Sequence, residues 1–348
     1  MNRKIVILTE GHTDPHTAKT AASVVRYRPE EVVALLDSTQ AGKTTGDLLG
    51  VGKVPIVAKL TDAAAANTLL LGIAPPGGKV PASWRVIILE AIGRGMNIVS
   101  GLHDFLSSDY EFNEAATAHK VTITDVRKND EHDIARRVDL RDECLRIHTV
   151  GHDCSIGKMV TAIEVCEALK RRDHDAKFIA SGQTGMMVDG DGVPVDCVVA
   201  DFVSGAIEKL IKKYQHHEIL LIEGQGSLVH PSYSAVTLGL LHGCLPHGLI
   251  LCYEVGRETV TGIDHLKIPP LAKIKELSEM MASVFQPCSV IGISMNSRKV
   301  SESEAEEERQ RMRDEFGLPV CDIFRHGCDE LVDVVLELQR SRQVSGTD

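Results

Sequence analysis

The chain has no apolar run approaching the ~18 residues needed to cross a bilayer, and its first apolar stretch, Ile5 to Leu8, breaks at Thr9-Glu10-Gly11. A first β-strand is expected there, too short for the core of a secretory leader. The nine cysteines, at 144, 154, 166, 197, 244, 252, 288, 321 and 328, contain no Cys-x-x-Cys pair. Their odd number and lack of metal spacing point to reduced thiols, a cytoplasmic location and no metal centre. Positive charge is in deficit: 38 Lys and Arg face 49 Asp and Glu, a formal net charge of -11. That balance excludes nucleic acid and anionic membranes as bulk partners, so any anionic ligand must be held by a local site. Internal repeats and low-complexity segments are absent too. The acidic run Glu302 to Glu308, passing into Arg309, Arg311 and Arg313, reads as a solvated helix face.

Two further absences remove decoys. Gly11-His12-Thr13-Asp14-Pro15 follows the first strand without the three-glycine dinucleotide fingerprint, so a nicotinamide cofactor is unsupported. Ala41-Gly42-Lys43-Thr44-Thr45-Gly46 contains Gly-Lys-Thr, but Asp37 stands where the leading glycine of a phosphate loop belongs, and no helix pattern of suitable length starts at Lys43. It reads as a loop at the end of the second strand, with a ligand contact by Asp37 or Lys43 at the sheet's carboxyl edge as the alternative.

At 348 residues the chain has room for two domains. Short apolar runs at Lys4 to Leu8, Glu31 to Leu36, Pro55 to Lys59, Thr68 to Ile73, Asn97 to Ser100 and Val121 to Asp125 alternate with helical patterns at Thr17 to Arg26, Trp84 to Arg94 and Tyr110 to His119. A charged stretch from Lys128 to Arg141 marks the connection. A second series follows, with strands at Leu145 to Val150, Lys177 to Ala180, Glu218 to Glu223, Leu249 to Tyr253 and Ser289 to Met295. Its helices are expected at Lys158 to Arg171, Ser204 to Tyr214, Leu271 to Ser283, Glu302 to Phe316 and Glu330 to Leu338. The expectation is an α/β protein of two doubly wound domains, residues 1–135 and 136–348.

The most informative segment runs from Arg146 to Met159. An apolar strand enters the loop Gly151-His152-Asp153-Cys154-Ser155-Ile156-Gly157, and a helix opens with Lys158-Met159-Val160. Loop amides, the positive end of the helix and the Lys158 ammonium can converge on one anion. Five residues rather than the usual four separate the two glycines. Ser or Thr ordinarily follows Gly-Lys and holds Mg²⁺ beside the phosphates, whereas here the position is Met159. A phosphorylated ligand therefore fits better than metal-assisted cleavage of a nucleoside triphosphate. The plainer account of the glycines is a strand-to-helix turn needing positive φ.

Other candidates lie at strand ends. Glu223 closes the strand Ile219 to Ile222 and precedes Gly224-Gln225-Gly226-Ser227, the place where open α/β sheets put their chemistry; a turn-capping Glu is the alternative. Ser181-Gly182-Gln183-Thr184-Gly185 begins a glycine-dense loop that suggests a flexible cover, with Ser181 and Thr184 as anion donors or ordinary turn residues. Asp201 precedes a helix and is either a cap or a base. His230, beside Pro231 just past the Glu223 loop, can face the site, without metal-ligand company. Cys154 sits where positive potential lowers a thiol pKa, or is only a small side chain on a binding loop. Asn296, after a strand, is either a partner for an adenine edge or a turn residue.

Gly151 to Met159, Ser181 to Gly185, Pro194-Val195-Asp196 with Ala200 to Gly205, and Ile222 to Ser227 together resemble the D-glutamate N-acetyltransferase family, P-loop proteins with a Rossmann-like N-terminal domain. The resemblance covers nearly the whole chain. It implies acetyl-CoA as cosubstrate, with its diphosphate and 3′-phosphate bound without Mg²⁺, D-glutamate as the small-molecule substrate, and a place in D-amino acid catabolism. Under that implication Gly151, Asp153, Cys154, Ser155, Ile156, Gly157, Lys158, Met159, Val160 and Asn296 hold the cofactor. Gln183, Thr184 and Arg257 face the substrate, Arg257 through a carboxylate. Glu223 is the first choice for the base and Asp201 the second. A homo-oligomer without nucleic-acid or membrane partners is expected. Two alternatives remain open: an ATP- and Mg-dependent ligase or kinase resembling dethiobiotin synthetase, and a nucleotide- or CoA-sensing binding protein.

Overall fold

The computed structural model describes residues 3–73 and 78–345. They form two compact units, Met1–Asn129 with Met186–Gly190, and Asp130–Gly185 with Asp191–Asp348. The boundary falls inside the charged stretch, six residues before the position expected from sequence. The excursion of 186–190 into the first unit was not anticipated, and its anchor is Met187, buried in that unit's core.

The first unit carries strands β1 (Ile5–Leu8), β2 (Val32–Leu36), β3 (Ile56–Val57), β4 (Thr68–Leu71), β5 (Asn97–Ser100) and β6 (Ile123–Asp125), with helices α1 (Lys19–Tyr27), α2 (Thr45–Leu49), α3 (Trp84–Gly93) and α4 (Tyr110–His119). The sheet order is β3-β2-β1-β4-β5-β6, and every pairing is parallel. Ile5 to Leu8 are buried on both faces, as a central parallel strand requires. The Gly-Lys-Thr decoy ends in a five-residue helix, α2, whose N-cap Thr44 forms a reciprocal capping box with Asp47.

The second unit contains β7 (Leu145–Gly151), β8 (Ala176–Ile179), β9 (Ile219–Ile222), β10 (Gly248–Glu254), the antiparallel hairpin β11 (Thr259–Val260) and β12 (Ile263–Lys267), then β13 (Ser289–Asn296) and β14 (Val320–Asp322). Its helices are α5 (Lys158–Arg171), α7 (Val203–Tyr214), α8 (Ser234–Cys244), α9 (Leu271–Ala282), α10 (Glu302–Phe316) and α11 (Asp329–Ser345), together with the start of α6 (Gln183–Asp189), whose residues from Met186 onward belong to the first unit. The order β14-β13-β10-β7-β9-β8 is again wholly parallel. Connections leave β7 toward β9 on one side, and β10 flanks it on the other. The carboxyl end of β7 is thus the switch point where such sheets open a ligand crevice. Both units have apolar clusters against their sheets, the two doubly wound domains expected.

Several elements differ from expectation, among them the short helix α2 and strand β14, neither of which the sequence pattern indicated. Gln183 to Asp189, read as part of a flexible cover, is helix α6. Ser234 to Cys244, left unassigned, is helix α8. The β11–β12 hairpin was not foreseen, and its residues Asp264 to Lys267 are exposed.

Candidate active site

The switch-point loop has the form its sequence implies. β7 is buried along its length, and α5 begins at Lys158 after Gly157, whose φ of 115° only glycine adopts without strain. Lys158 is buried and donates from Nζ to the Asp153 carbonyl oxygen at 2.6 Å. Burial pulls its pKa down, because an ammonium without an anionic partner is costly in low dielectric. Asn296 donates from Nδ2 to the Ile156 carbonyl oxygen at 3.1 Å, which ties the end of β13 to the loop. Met159 and Val160 are half-buried in the first turn of α5, and Ser155 is exposed.

Asp153 is fully buried. Its Oδ1 accepts from the Cys154 amide at 2.7 Å, and its Oδ2 accepts from the Thr261 amide at 2.9 Å, the Thr261 hydroxyl at 2.7 Å and Arg257 Nη1 at 3.0 Å. Burial works against ionisation, but the donors from Thr261, the Cys154 amide and Arg257 outweigh it and hold the carboxyl below its ordinary range. Arg257, expected to face a substrate carboxylate, is thereby engaged with the loop. Its Nε also donates to Glu254 Oε2 at 2.6 Å, and its Nη1 to the Cys154 carbonyl oxygen at 2.8 Å.

Glu254, at the end of β10, escaped sequence reasoning because it looked like one acid among many. Its side chain is fully buried and receives Arg257, Arg298 at 2.7 Å and Lys299 at 3.1 Å. Behind it the Glu254 amide donates to His152 Nε2 at 3.0 Å. Burial drives the His152 pKa down to about 4, so that ring is neutral.

Asp153, Cys154 and His230 bring one possible ligand atom each within 4.8 Å of one another, a trio that chain spacing did not suggest. The carboxylate oxygens of Asp153 are already taken up as described. His230 Nδ1 accepts from the Ser232 amide at 3.1 Å, and Nε2 pairs with the Thr261 carbonyl oxygen at 3.1 Å.

Glu223 follows β9, the other neighbour of β7, and is 3% exposed. Its Oε2 accepts from the Ser181 amide at 2.9 Å and the Gly182 amide at 3.2 Å, and its Oε1 accepts from Gln225 Nε2 at 3.1 Å. Burial raises its pKa to about 8 against those two amides; like charge from Asp196 adds to the rise and Lys158 opposes it. Gly185 explains the approach, since a Cβ there would overlap the Glu223 carboxylate. Gly224 is equally constrained: a Cβ would overlap the Thr149 carbonyl oxygen and stand 3.0 Å from Lys158 Cδ. Ser181 spends its hydroxyl on the Glu223 carbonyl oxygen at 2.7 Å. Gln183 and Thr184 open α6, the first half-buried and the second buried. Asp201 lies exposed on the short helical turn Ala200–Phe202. The acid that acts electrostatically on Glu223 is Asp196, on the turn Val195–Cys197.

A buried cationic loop at the switch point of one parallel sheet, joined in sequence to a second sheet of 3-2-1-4-5-6 order, defines a two-domain α/β protein of the P-loop class. Residues 133–332 match the family described as "Domain of unknown function (DUF1611_C) P-loop domain", and residues 38–129 match its "DUF1611_N Rossmann-like domain". A protein of Tritonibacter scottomollicae named D-glutamate N-acetyltransferase is 36% identical over 324 residues, covering 92% of this chain and 95% of its own length. A Pseudoalteromonas protein of the same name is 38% identical over 321 residues, with the same two coverages of 92% and 95%. The crystal structure of a DUF1611 family protein from Anabaena variabilis superposes with a TM-score of 0.91 at 36% identity, covering 97% of this chain and 100% of that one. The chain belongs to this family, which includes the D-glutamate N-acetyltransferases.

Proposed function

We propose that the protein transfers an acetyl group from acetyl-CoA to the amino group of D-glutamate, a step of D-amino acid catabolism. One observation carries the reading: a buried, anion-seeking lysine, without the hydroxyl that would anchor Mg²⁺, lies beside a buried carboxyl group whose pKa is about 8. An acyl carrier has phosphates to hold and none to cleave, so the loop serves it as it stands. The names of the two bacterial relatives supply the amino-acid substrate.

A phosphate of the donor replaces the Asp153 carbonyl as acceptor for Lys158, relieving the desolvated ammonium, while loop amides complete the cradle. Once ionised, Glu223 takes a proton from the D-glutamate ammonium. The amine nitrogen then attacks the thioester carbon, the carbon–sulfur bond breaks, and the thiolate takes the second proton the nitrogen sheds and leaves as coenzyme A. Thr184 or loop amides stabilise the oxyanion. With a base of pKa about 8, turnover rises as pH passes through that value. The carboxylate of D-glutamate is assigned to Arg257, which would exchange part of its present pairing for it.

Purified protein given acetyl-CoA and D-glutamate should release one thiol per N-acetylated product, with L-glutamate as the control. Mg²⁺-dependent release of ADP from ATP, with no thiol release, would replace this reading with a ligase or kinase. Saturable CoA binding without turnover would leave a sensor.

A further inference from the structure

The ion-pair chain around Glu254 extends beyond what holding the phosphate loop requires. Arg257 connects the loop to Glu254, and on the far side of that carboxylate stand Arg298 and Lys299, with 46% and 58% of their side chains exposed. In this linked set four cations, Lys158, Arg257, Arg298 and Lys299, face two carboxylates, Asp153 and Glu254, a surplus of two positive charges in a chain of net -11. Glu254 offers two oxygens to three cations. Arg and Lys carry five and three donor hydrogens respectively, so most of those on Arg298 and Lys299 are not spent on it.

The turn that presents this pair is rigidly held. Buried Asp322 accepts from the Ser297 amide at 2.9 Å and from its hydroxyl, and also from the amides of Phe324 and Arg325 at 3.0 and 3.2 Å. Arg325 returns to the Val300 carbonyl oxygen at 2.9 Å, closing the turn from its other end. Asn296, one residue before Ser297, is bonded to the phosphate loop itself. Preorganised cations of this kind lose little side-chain freedom when an anion arrives.

Strand order gives direction. Glu223 follows β9 on one side of β7, whereas Arg298 and Lys299 follow β13, two strands away on the other side. Two strand spacings are about 10 Å, room for a ribose between one phosphate group in the loop and a second at the β13 turn. We propose that Arg298 and Lys299 form a second anion subsite, which takes the ribose 3′-phosphate of the acyl donor and so distinguishes coenzyme A from nucleotides lacking that group. This rests on the reading of acetyl-CoA as donor. It also directs the adenosine half toward β13 and the acyl half toward Glu223.

The test is calorimetric titration of the full-length protein with coenzyme A and with 3′-dephospho-coenzyme A. The wild-type protein should bind coenzyme A about tenfold or more tightly than the dephospho form, in line with charge-assisted contacts to a phosphate. In the double variant Arg298→Ala/Lys299→Ala that preference should collapse toward one, and Arg298→Lys should restore part of it. Equal binding of the two ligands by wild-type protein overturns the subsite while leaving the donor assignment intact, and needs no variant to fold. Failure of both ligands to bind overturns the donor assignment and the subsite together. A preference that survives the double variant, with its fold verified by circular dichroism, places the 3′-phosphate elsewhere.

Discussion

Asp37 and Glu223 stand at corresponding places in the two sheets, each just after a strand that pairs with the leading strand of its domain, β1 or β7. Both are buried, at 0% and 3% exposure, yet their protons behave oppositely. Asp37 receives the hydroxyls of Thr13 and Thr39 and the Thr39 amide; burial pushes its pKa up, but these donors push harder and the net shift is downward. Glu223 has two amides and one carboxamide, is more strongly desolvated by the surrounding protein, and feels Asp196, so desolvation wins and its pKa rises to about 8. Short side-chain hydroxyls make the first carboxylate a structural fixture. The amides and carboxamide around the second leave an acid able to exchange its proton near neutrality.

Glu223→Gln tests that distinction most sharply. Turnover should fall by roughly 10²- to 10⁴-fold while coenzyme A affinity is retained; steady-state kinetics beside calorimetry would show it, and unchanged turnover removes Glu223 from the chemistry. Lys158→Ala should follow, weakening coenzyme A binding by on the order of 10- to 100-fold through loss of a charged donor. Gly185→Ala drives a methyl into the Glu223 carboxylate and should lower stability by about 1–3 kcal/mol, read from denaturant midpoints. Asp37→Asn should cost about 1 kcal/mol and leave turnover nearly intact.

The two acids also predict opposite pH dependences of folding. Glu223 has a raised folded pKa, so its contribution favours the native state below its unfolded value and is lost as pH climbs from there through about 8. Asp37 has a lowered folded pKa, so its contribution is present above the unfolded value and is lost as pH falls through the folded one. Thermal melts of the Asn and Gln variants against wild type across pH 3 to 9 should show the two differences running in opposite senses. Parallel curves would mean that hydrogen-bond inventory does not separate the sites.

The phosphate loop was legible because strand, glycine, lysine and helix signals lie within fourteen contiguous residues, and α5 spans Lys158–Arg171 as its pattern indicated. Helix α6 was not, since Gly182 and Gly185 read as loop punctuation. The structure shows glycine there because Gln225 and the Glu223 carboxylate occupy the space a Cβ would fill. Helix α8 was hidden similarly, with Gly243 packed against the Ser204 backbone of α7 at a separation no larger residue permits. Glu254 and Thr261 were invisible for a different reason. Their importance arises from the partners that folding supplies, Arg298 and Lys299 for one and Asp153 for the other, and no local periodicity encodes a contact made more than a hundred residues away, as that of Thr261 with Asp153 is.

The grip of Thr261 on Asp153 gives the β11–β12 ribbon leverage out of proportion to its size. If the loop holds a phosphate as proposed, a bare carboxylate there would repel it; Thr261 and Arg257 offset that charge beforehand. Shortening the ribbon, or changing the residue at its bend, would therefore dim the loop's appetite for anions from a distance, leaving every amide of the cradle in place.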